Sequence, residues 1–336
     1  MEWFRDLVRP QKKLSDISLP ASVGDLFSEF DIFYVCYSEP NREENWAQIL
    51  SILPKAQKVE GVHGFDRALK VCARKSKTNH FFVIDGDNQI VEERIKRQVP
   101  VSELKDHWVL SWSSLNPVNG LNYGNGGLKL WPKSTALKIK SHEKSSKDQD
   151  QTDYCFLADY YLIDDFATKT IMNKTPEQAF RAGFREGVKM SLAWGKQVPL
   201  SHDNFELLLG PQNRMRLKTW CEAGADCKNG LWGIAGARLG LKKNVVDLFD
   251  CQEINSYEKI DHFMEKELLN PLKMTKAREV LTQADKLALM TKIQEWGDEI
   301  RRVIPLNLTL MSPEESQRFK NNFVNPERSG LLKERR

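Results

Sequence analysis

The sequence predicts an α/β protein whose central sheet is parallel and covered by helices. Three short apolar runs, DIFYVCY (31–37), AQKVEGV (56–62) and HFFVI (80–84), are typical of buried strands. Two segments with apolar residues at helical spacing separate them. Alternation of strands and helices over such short distances favours parallel strands joined by helical crossovers.

Each of the two intervening segments has one apolar helical face. In EPNREENWAQILSIL, Asn41 and Glu44 have the spacing of a capping box at a helix start. Apolar residues then follow at positions i, i+3, i+4 and i+7, namely Trp46, Ile49, Leu50 and Leu53. The same spacing recurs in the second segment at Phe65, Ala68, Leu69 and Cys72.

The acidic sequence Asp85-Gly86-Asp87 directly follows the third predicted strand. Ligands of parallel sheets bind beyond the carboxyl ends of the strands, and Ser38, Glu39 and Pro40 end the first strand on the same edge. A glycine between two aspartates lets both carboxylates face one point, where they suit Mg²⁺ or Mn²⁺. The alternative is an ordinary Asp-Gly turn that ends a strand.

The rest of the chain divides into further predicted elements. Residues 107–134 predict a strand, a long loop and a strand, and the lysine-rich segment 133–153 predicts a mobile loop. Residues 160–175 predict another strand pair. Thr175, Pro176 and Gln178 form a strong helix start, with Phe180, Phe184 and Val188 on the buried side. From about residue 245 onward the pattern is mostly helical.

Composition and charge limit the protein class only broadly. The 336 residues suffice for one large or two medium domains, and 40% hydrophobic with 29% charged residues is typical of a soluble globular protein. The first ten residues lack the apolar core of a signal peptide, and no apolar run approaches the roughly 20 residues of a membrane span. These features predict a cytosolic protein. The net charge of +4 does not establish a nucleic-acid partner.

The cysteines predict neither disulfides nor a zinc site. The six cysteines include no CxxC pair, and their spacing does not match that of zinc ligands. Cys36 falls in a predicted strand and Cys72 on an apolar helix face, so both are expected to be reduced core residues.

Two glycine-rich segments have more than one interpretation. YGNGG contains Gly126 and Gly127, whose N–H groups suit phosphate or sugar oxygens, or else form a hairpin turn. Lys129 just beyond either neutralises a phosphate or is a solvated strand residue. GADCKNGLWGIAGARLG (224–240) contains Arg238, and it forms either a loop facing a diphosphate or a close helix crossing.

Several polar residues are candidates for catalysis or metal binding. On the helix after Thr175, Glu186 lies beside a basic row formed by Arg181, Arg185 and Lys189, and small residues along the helix indicate tight packing. A carboxylate among cations favours its ionised form and suits a general base. Asp164 and Asp165 adjoin a strand, where such pairs are either structural or catalytic. His202 is a third metal ligand or a solvent-facing loop residue.

Taken in chain order, these motifs resemble one family. The order is a strand ending in SEPN, a helix with Trp46, a short strand, a helix, the Asp85-Gly86-Asp87 strand end, YGNGG, FREG and GAD…GAR. This resembles the GT-A-type glycosyltransferases of bacteriophages that modify hydroxymethylated pyrimidines in DNA. The resemblance covers roughly residues 30 to 240. It implies an α/β fold of the GT-A (Rossmann-like) type with a mostly helical C-terminal extension.

The resemblance also implies a domain organisation and localisation. Residues 1–28 would be an N-terminal segment, 29–244 the nucleotide-sugar-binding and catalytic domain, and 245–336 the helical extension with a flexible tail. The protein would act in the bacterial host cytoplasm during phage infection. Its partners would be double-stranded DNA and a nucleotide sugar, without a membrane or an obligate protein partner.

Roles follow for individual residues from the same resemblance. Asp85 and Asp87 would hold Mn²⁺ or Mg²⁺ against the diphosphate of a UDP-sugar donor, with His202 as the candidate third ligand. Ser38, Glu39 and Pro40 would line the nucleoside pocket. Gly126 and Gly127 would lie between donor sugar and acceptor. Apart from the resemblance, Lys129 and Arg238 are candidate phosphate contacts from their own sequence context. Glu186 would be the catalytic carboxylate. Asp164 and Asp165, which adjoin a strand, are the alternatives from the residue pattern itself.

Rival functions are partly separable on the sequence. A phosphotransferase with an aspartate nucleophile usually carries its motif after the first strand, whereas this motif follows the third. A sugar nucleotidyltransferase would show a glycine-rich basic loop after the first strand, where this chain has SEPNREEN. A glycosyltransferase with a glycan or protein acceptor, and a non-catalytic DNA-binding protein on the same scaffold, stay open.

Overall fold

The computed structural model describes residues 21–96, 98–99, 109–123, 126–140 and 160–323. Within these ranges the side chains of residues 21–22, 98–99, 123, 160–162, 164–165 and 323 are not described. The segment 141–153 of the predicted mobile loop and the predicted tail after residue 323 lie outside the described residues.

The strands form one large mixed sheet and one small ribbon. The strands are β1 (Ala21–Ser22), β2 (Asp31–Cys36), β3 (Gln57–Glu60), β4 (His80–Asp85), β5 (Asn88–Ile90), β6 (Gln98–Val99), β7 (Val109–Leu115), β8 (Asn122–Tyr123), β9 (Leu128–Pro132) and β10 (Tyr160–Thr170). The large sheet has the order β3-β2-β4-β9-β7-β10-β5, with β8 paired to β7. The β1 and β6 strands form the separate ribbon.

Helices account for most of the remaining described chain. They are α1 (Val23–Glu29), α2 (Arg42–Ile52), α3 (Phe65–Lys75), α4 (Glu92–Ile95), α5 (Lys133–Lys138), α6 (Pro176–Met190), α7 (Phe205–Leu208), α8 (Pro211–Glu222), α9 (Gly230–Val245), α10 (Tyr257–Met264), α11 (Gln283–Val303) and α12 (Pro313–Phe323). A π-helical turn, Glu265–Leu269, continues α10.

The α/β class is confirmed, and the first three predicted strands pair in parallel as β3, β2 and β4. Their side chains alternate between the two faces, as the period of two requires. Ile32 and Phe82 pack under α1 and α2, whereas Phe33 and Phe81 pack under α3 and α5. The sheet is mixed rather than wholly parallel, because β9 inserts antiparallel between β4 and β7.

Two local predictions are wrong. Residues 160–170 form one long strand, β10, instead of a strand pair, and its register with β7 shifts between Ile163 and Phe166. The strand stays continuous because β7 and β5 bind its two edges. The predicted mobile loop begins instead with α5, which packs its buried Ala136 against the sheet.

Of the two predicted helix caps, at the starts of α2 and α6, the one at α6 forms and the one at α2 does not. Thr175 caps α6 as predicted, accepting a hydrogen bond from the Gln178 backbone N–H. Asn41 makes no capping bond to α2. Its amide donates to the carbonyl of Ile171 and accepts from the Gln178 side chain. The Asn41 side chain therefore joins the starts of the two helices.

The tight packing predicted for α6 is confirmed, and its partner is α9. A Cβ added at Gly183 would lie 1.9 Å from the carbonyl oxygen of Gly233, and one at Gly187 2.2 Å from that of Ala237. In the other direction, a Cβ at Gly236 would lie 2.1 Å from the carbonyl oxygen of Phe180. The segment 224–240 is therefore a close helix crossing, one of its two interpretations.

Apolar clusters of the helical part extend across the predicted domain boundary at 244/245. Phe184 of α6 and Trp232 of α9 share a cluster with Ile260 of α10 and Trp296 of α11. The boundary stays a prediction, and helices on its two sides pack on each other. The predicted helical character after residue 245 is confirmed.

Two further observations concern the described residues as a whole. Every helix within them is too short or too polar to traverse a lipid bilayer. The five cysteines among them, Cys36, Cys72, Cys221, Cys227 and Cys251, are free thiols.

Candidate active site

The candidate site lies at the carboxyl ends of β2 and β4. Asp85 is the last residue of β4 and pairs with Val35 of the neighbouring parallel strand. Both strands therefore end at the same edge of the sheet. Glu39 follows β2 at this edge, and Gly86 and Asp87 follow β4.

The turn at Gly86 is held from below by two buried side chains. The Gly86 carbonyl accepts hydrogen bonds from the Tyr34 hydroxyl at 2.7 Å and the Asn45 amide at 3.0 Å. Burial raises the pKa of Tyr34, which keeps its hydroxyl a donor. A Cβ on Gly86 would lie 2.8 Å from the Glu39 carboxyl group. The glycine is therefore required for the approach of Glu39 to the turn.

Three carboxylates lie close enough at this edge to influence one another's charge. Burial, followed by the negative charges of Asp85 and Glu39, raises the pKa of Asp87 to about 7. A hydrogen bond of 2.6 Å from the Asn88 amide to Asp87 acts in the opposite direction and is too weak to offset the other causes. The cluster thus carries more negative charge than its surroundings neutralise, and an added cation would be stabilised there.

One cation already contacts this cluster. The Lys129 ammonium lies 3.2 Å from Asp85 Oδ2 and donates to the Gly126 carbonyl at 2.6 Å. Lys129 is only 4% exposed. It is therefore not a solvated strand residue, which was one of its two interpretations.

The protein's own packing requires the two described glycines of YGNGG. A Cβ on Gly126 would lie 2.5 Å from the Trp112 carbonyl oxygen, and one on Gly127 would lie 2.0 Å from the Asn88 side chain. The Asn88 amide also accepts hydrogen bonds from Ser114 and Thr170. These glycines let Asn88 reach its partners and Asp87. Gly124 lies outside the described residues.

The predicted nucleoside pocket has an open edge beside the cluster. Ser38 and Pro40 are exposed, and Glu39 is partly buried with its carboxylate accepting from the Tyr37 N–H at 2.7 Å. The Tyr37 ring is half exposed and meets the His63 ring edge-on, with 5.6 Å between centroids. This edge therefore offers an aromatic surface and polar groups to a flat ligand.

The structure does not bring His202 to Asp85 and Asp87. His202 is exposed, and its ring nitrogen lies 3.2 Å from the Arg301 carbonyl oxygen at the end of α11. Among the described residues, no group of three or more His, Cys, Asp or Glu side chains is placed to hold a metal ion. A divalent ion at this edge would therefore take one or two carboxylates from the protein and complete its shell with phosphate oxygens and water, as Mg²⁺ commonly does.

The prediction that Arg238 contacts a diphosphate is wrong. Arg238 is fully buried, and its guanidinium donates to the backbone carbonyls of Cys221 in α8 and Ile293 in α11. Its position in α9 points the side chain into the helical core. Arg238 joins three helices and is not accessible to a ligand.

The predicted catalytic carboxylates are distributed over two parts of the fold. Glu186 lies in α6, mostly buried, with its carboxylate 3.9 Å from Lys189. Glu186 lies eight residues after Gln178, whose side chain contacts Asn41 at the start of α2. It is therefore about 12 Å along the helix axis from that contact. Asp164 and Asp165 lie in β10 where the register shifts, and their side chains lie outside the described residues. Two members of the basic row beside Glu186 have protein partners. Arg181 donates to Asp261, and the Arg185 guanidinium lies over the Tyr257 ring.

Sequence reasoning missed several residues that build the site. Tyr34 and Asn45 hold the turn, and Asn88 links Asp87 to the glycine-rich segment. Asn45 interrupts the apolar face of α2 and is fully buried. That polar residue on a buried helix face is the one signal in the sequence that points to a specific hydrogen-bonding role.

We expect the raised pKa of Asp87 to make stability depend on pH. In EDTA, the free energy of unfolding should fall as pH rises from about 4 to about 7, because the folded state binds the Asp87 proton more tightly than the unfolded chain. In the Asp87→Asn variant the side chain at this position does not titrate, so this contribution is absent. Urea unfolding of both proteins at several pH values should show the wild-type stability falling by roughly 2–4 kcal/mol relative to the variant. If the free energy of unfolding of wild type relative to the variant stays constant or rises with pH, the raised pKa of Asp87 is contradicted.

The sequence matches no known protein family, and a search of curated proteins gave no match.

Proposed function

We propose that the protein is a metal-dependent GT-A-type glycosyltransferase. It transfers a sugar, such as glucose or arabinose, from a UDP-sugar to 5-hydroxymethylcytosine or 5-hydroxymethyluracil in phage DNA. The observation that carries the proposal is the convergence of Asp85, Asp87 and Glu39 at the carboxyl ends of two parallel strands. The nature of the acceptor rests on the sequence resemblance described above.

The charge of the site supports binding of a divalent ion with a diphosphate. Hard carboxylate oxygens suit Mg²⁺ or Mn²⁺. The pKa of Asp87 is raised by burial and then by the charges of Asp85 and Glu39, and a bound divalent ion would offset both causes. Asp85 and Asp87 would hold the ion. When bound, the ion supplies positive charge that stabilises the diphosphate leaving group as the glycosidic bond breaks.

The protein's own residues would orient the donor around that charge. The edge formed by Tyr37, Ser38 and Glu39 is open to a nucleoside. Tyr34 and Asn45 hold the Gly86 carbonyl and thereby the direction of both aspartates. Such preorganisation lowers the cost of placing charged groups in the transition state.

A hydroxymethyl acceptor places a further demand on the protein. Its proton must pass to a carboxylate within hydrogen-bond reach, for which Glu186 is the proposed base. The target base must also leave the stack or be reached in the groove. The second demand distinguishes a DNA acceptor from a glycan or protein acceptor, whereas the need for a base and the donor half would be the same.

A donor screen on DNA tests the proposal. The purified protein is incubated with Mn²⁺, a panel of UDP-sugars and duplexes containing either ordinary or hydroxymethylated pyrimidines. The digested nucleosides are then analysed by mass spectrometry. We expect a hexose- or pentose-sized mass increment only on the hydroxymethylated base, and no increment with Asp85→Ala.

Other outcomes separate the rival functions. Asp85-dependent hydrolysis of a UDP-sugar without an increment on DNA would keep the transferase and move the acceptor to a glycan or protein. Binding of DNA without donor turnover or metal binding would instead favour a non-catalytic DNA-binding protein.

Glu186→Gln tests the proposed base directly. We expect sugar transfer to fall by about 100-fold or more, because general acid–base catalysis contributes about 10²–10⁴ to rates. The affinity for UDP should stay within about twofold of wild type, since the substitution keeps the shape of the side chain. Transfer and UDP titrations are measured in parallel. Weakened UDP binding with normal turnover of the residual complex contradicts the assignment.

A further inference from the structure

The position of Lys129 follows from the register of two antiparallel strands. Lys129 of β9 pairs with Val83 of β4, and paired residues project to the same face. Asp85 lies two residues after Val83 and shares that face. The lysine side chain therefore crosses diagonally to Asp85, where its ammonium lies 3.2 Å from Oδ2.

This ion pair is held more firmly on the lysine side than on the aspartate side. The Lys129 side chain is 5% exposed and the Asp85 side chain 38% exposed. The ammonium is also anchored by its 2.6 Å hydrogen bond to the Gly126 carbonyl. The lysine therefore cannot leave the site without losing buried contacts, whereas the carboxylate has an open side toward solvent.

We propose that Lys129 is the built-in counter-ion of Asp85 and couples the binding of a divalent cation to that of a diphosphate. The inference rests on the proposed function, since it concerns the same carboxylates. In the protein without nucleotide, Lys129 competes with a divalent cation for Asp85. A bound diphosphate offers its oxygens to the ammonium, so that Asp85 is released to the divalent cation.

Electrostatics supports this exchange. An ammonium and a divalent ion on the same carboxylate repel each other strongly at distances near 4 Å when solvent is partly excluded. The negative oxygens of a diphosphate beside both cations remove that repulsion. Asp87 differs from Asp85, because its carboxylate accepts from the neutral Asn88 amide. The coupling therefore acts through Asp85.

Direct metal binding tests the inference without any sugar transfer. Binding of Mn²⁺ is measured by titration calorimetry for wild type, Lys129→Met and Lys129→Gln, each with and without saturating UDP. The matched control is Lys133→Met. Lys133 follows β9 at its other end, and its ammonium donates to the Ser76 carbonyl at 2.6 Å.

We expect both Lys129 variants to bind Mn²⁺ alone about tenfold more tightly than wild type, within the usual range of coupling between sites. The increase of Mn²⁺ affinity on adding UDP should be large in wild type and in the control, and smaller in the Lys129 variants. The rise of thermal midpoint with added Mn²⁺ should also be larger in the variants, which verifies that they are folded.

Two results overturn the inference. Mn²⁺ affinity without UDP that is unchanged or lower in both Lys129 variants excludes competition for Asp85. Equal enhancement by UDP in wild type and variants excludes coupling through Lys129. Failure of the proposed function has a different signature, namely no sugar transfer in the donor screen. The Mn²⁺ and UDP effects are measured without sugar transfer, so their presence or absence is decided independently of that screen.

Discussion

Replacing Asp85 by asparagine is expected to reduce sugar transfer by at least about 100-fold, comparable to the loss of a main electrostatic group in other active sites. The amide keeps the shape of the side chain but removes a charge from the edge where β2 and β4 end. It also leaves the Lys129 ammonium without its carboxylate. Transfer is measured with the best donor of the UDP-sugar screen, and Mn²⁺ binding is measured alongside.

The control for this substitution is Glu60→Gln. Glu60 ends β3 at the same edge of the sheet, and its carboxylate pairs with Arg42 and Lys58 instead of joining the cluster around Asp87. We expect Glu60→Gln to transfer sugar within about threefold of wild type, because surface ion pairs contribute little. Asp85→Asn with near-normal transfer and unchanged Mn²⁺ dependence would falsify the assigned role of Asp85.

Replacing Gly236 by alanine is expected to destabilise the protein by about 3 kcal/mol, in the upper part of the range for overpacking. The new Cβ would lie 2.1 Å from the Phe180 carbonyl oxygen. That oxygen belongs to the backbone of α6, which cannot move aside as a flexible side chain could. The two helices must separate, and the contacts around Gly183 and Gly187 weaken as well.

Gly233→Ala is the matched control, since Gly233 lies one helical turn earlier in the same helix. A Cβ there would meet the Ala179 carbonyl oxygen at 3.6 Å, an ordinary van der Waals contact. Alanine favours a helix over glycine by about 0.5–1 kcal/mol, so this variant should be as stable as wild type or slightly more so. Urea unfolding monitored by circular dichroism gives both values. Equal stability of the two variants would show that α6 and α9 do not pack backbone to backbone.

The elements that the sequence predicted well are those with a local signal. Strands β2, β3 and β4 and helices α2, α3 and α6 combine period-specific apolar patterns with turns or caps close by. The prediction of a strand pair at 160–175 was wrong because β10 is defined by partners on both edges, β7 and β5, which lie elsewhere in the chain. Continuity of that strand is a property of the sheet.

The candidate site was predictable in part for the same reason. Asp85 and Asp87 are adjacent to a strong strand signal, so their place at the edge of the sheet followed from the order of the elements. Arg238 and His202 had only residue type to suggest a role. Burial between three helices excludes Arg238 from a ligand site, and His202 lies against the end of α11.

The sequence by itself determined the alternation of strands and helices, the glycine turn between two aspartates and the need for a close partner of α6. These features depend on neighbouring residues, whose spacing directly sets backbone geometry. Only the tertiary structure decided that Glu39 joins the aspartates, that Lys129 turns inward to Asp85 and that α9 is the partner of α6. These contacts join residues far apart in the chain, and strand register and helix crossing, which local patterns do not specify, bring them together.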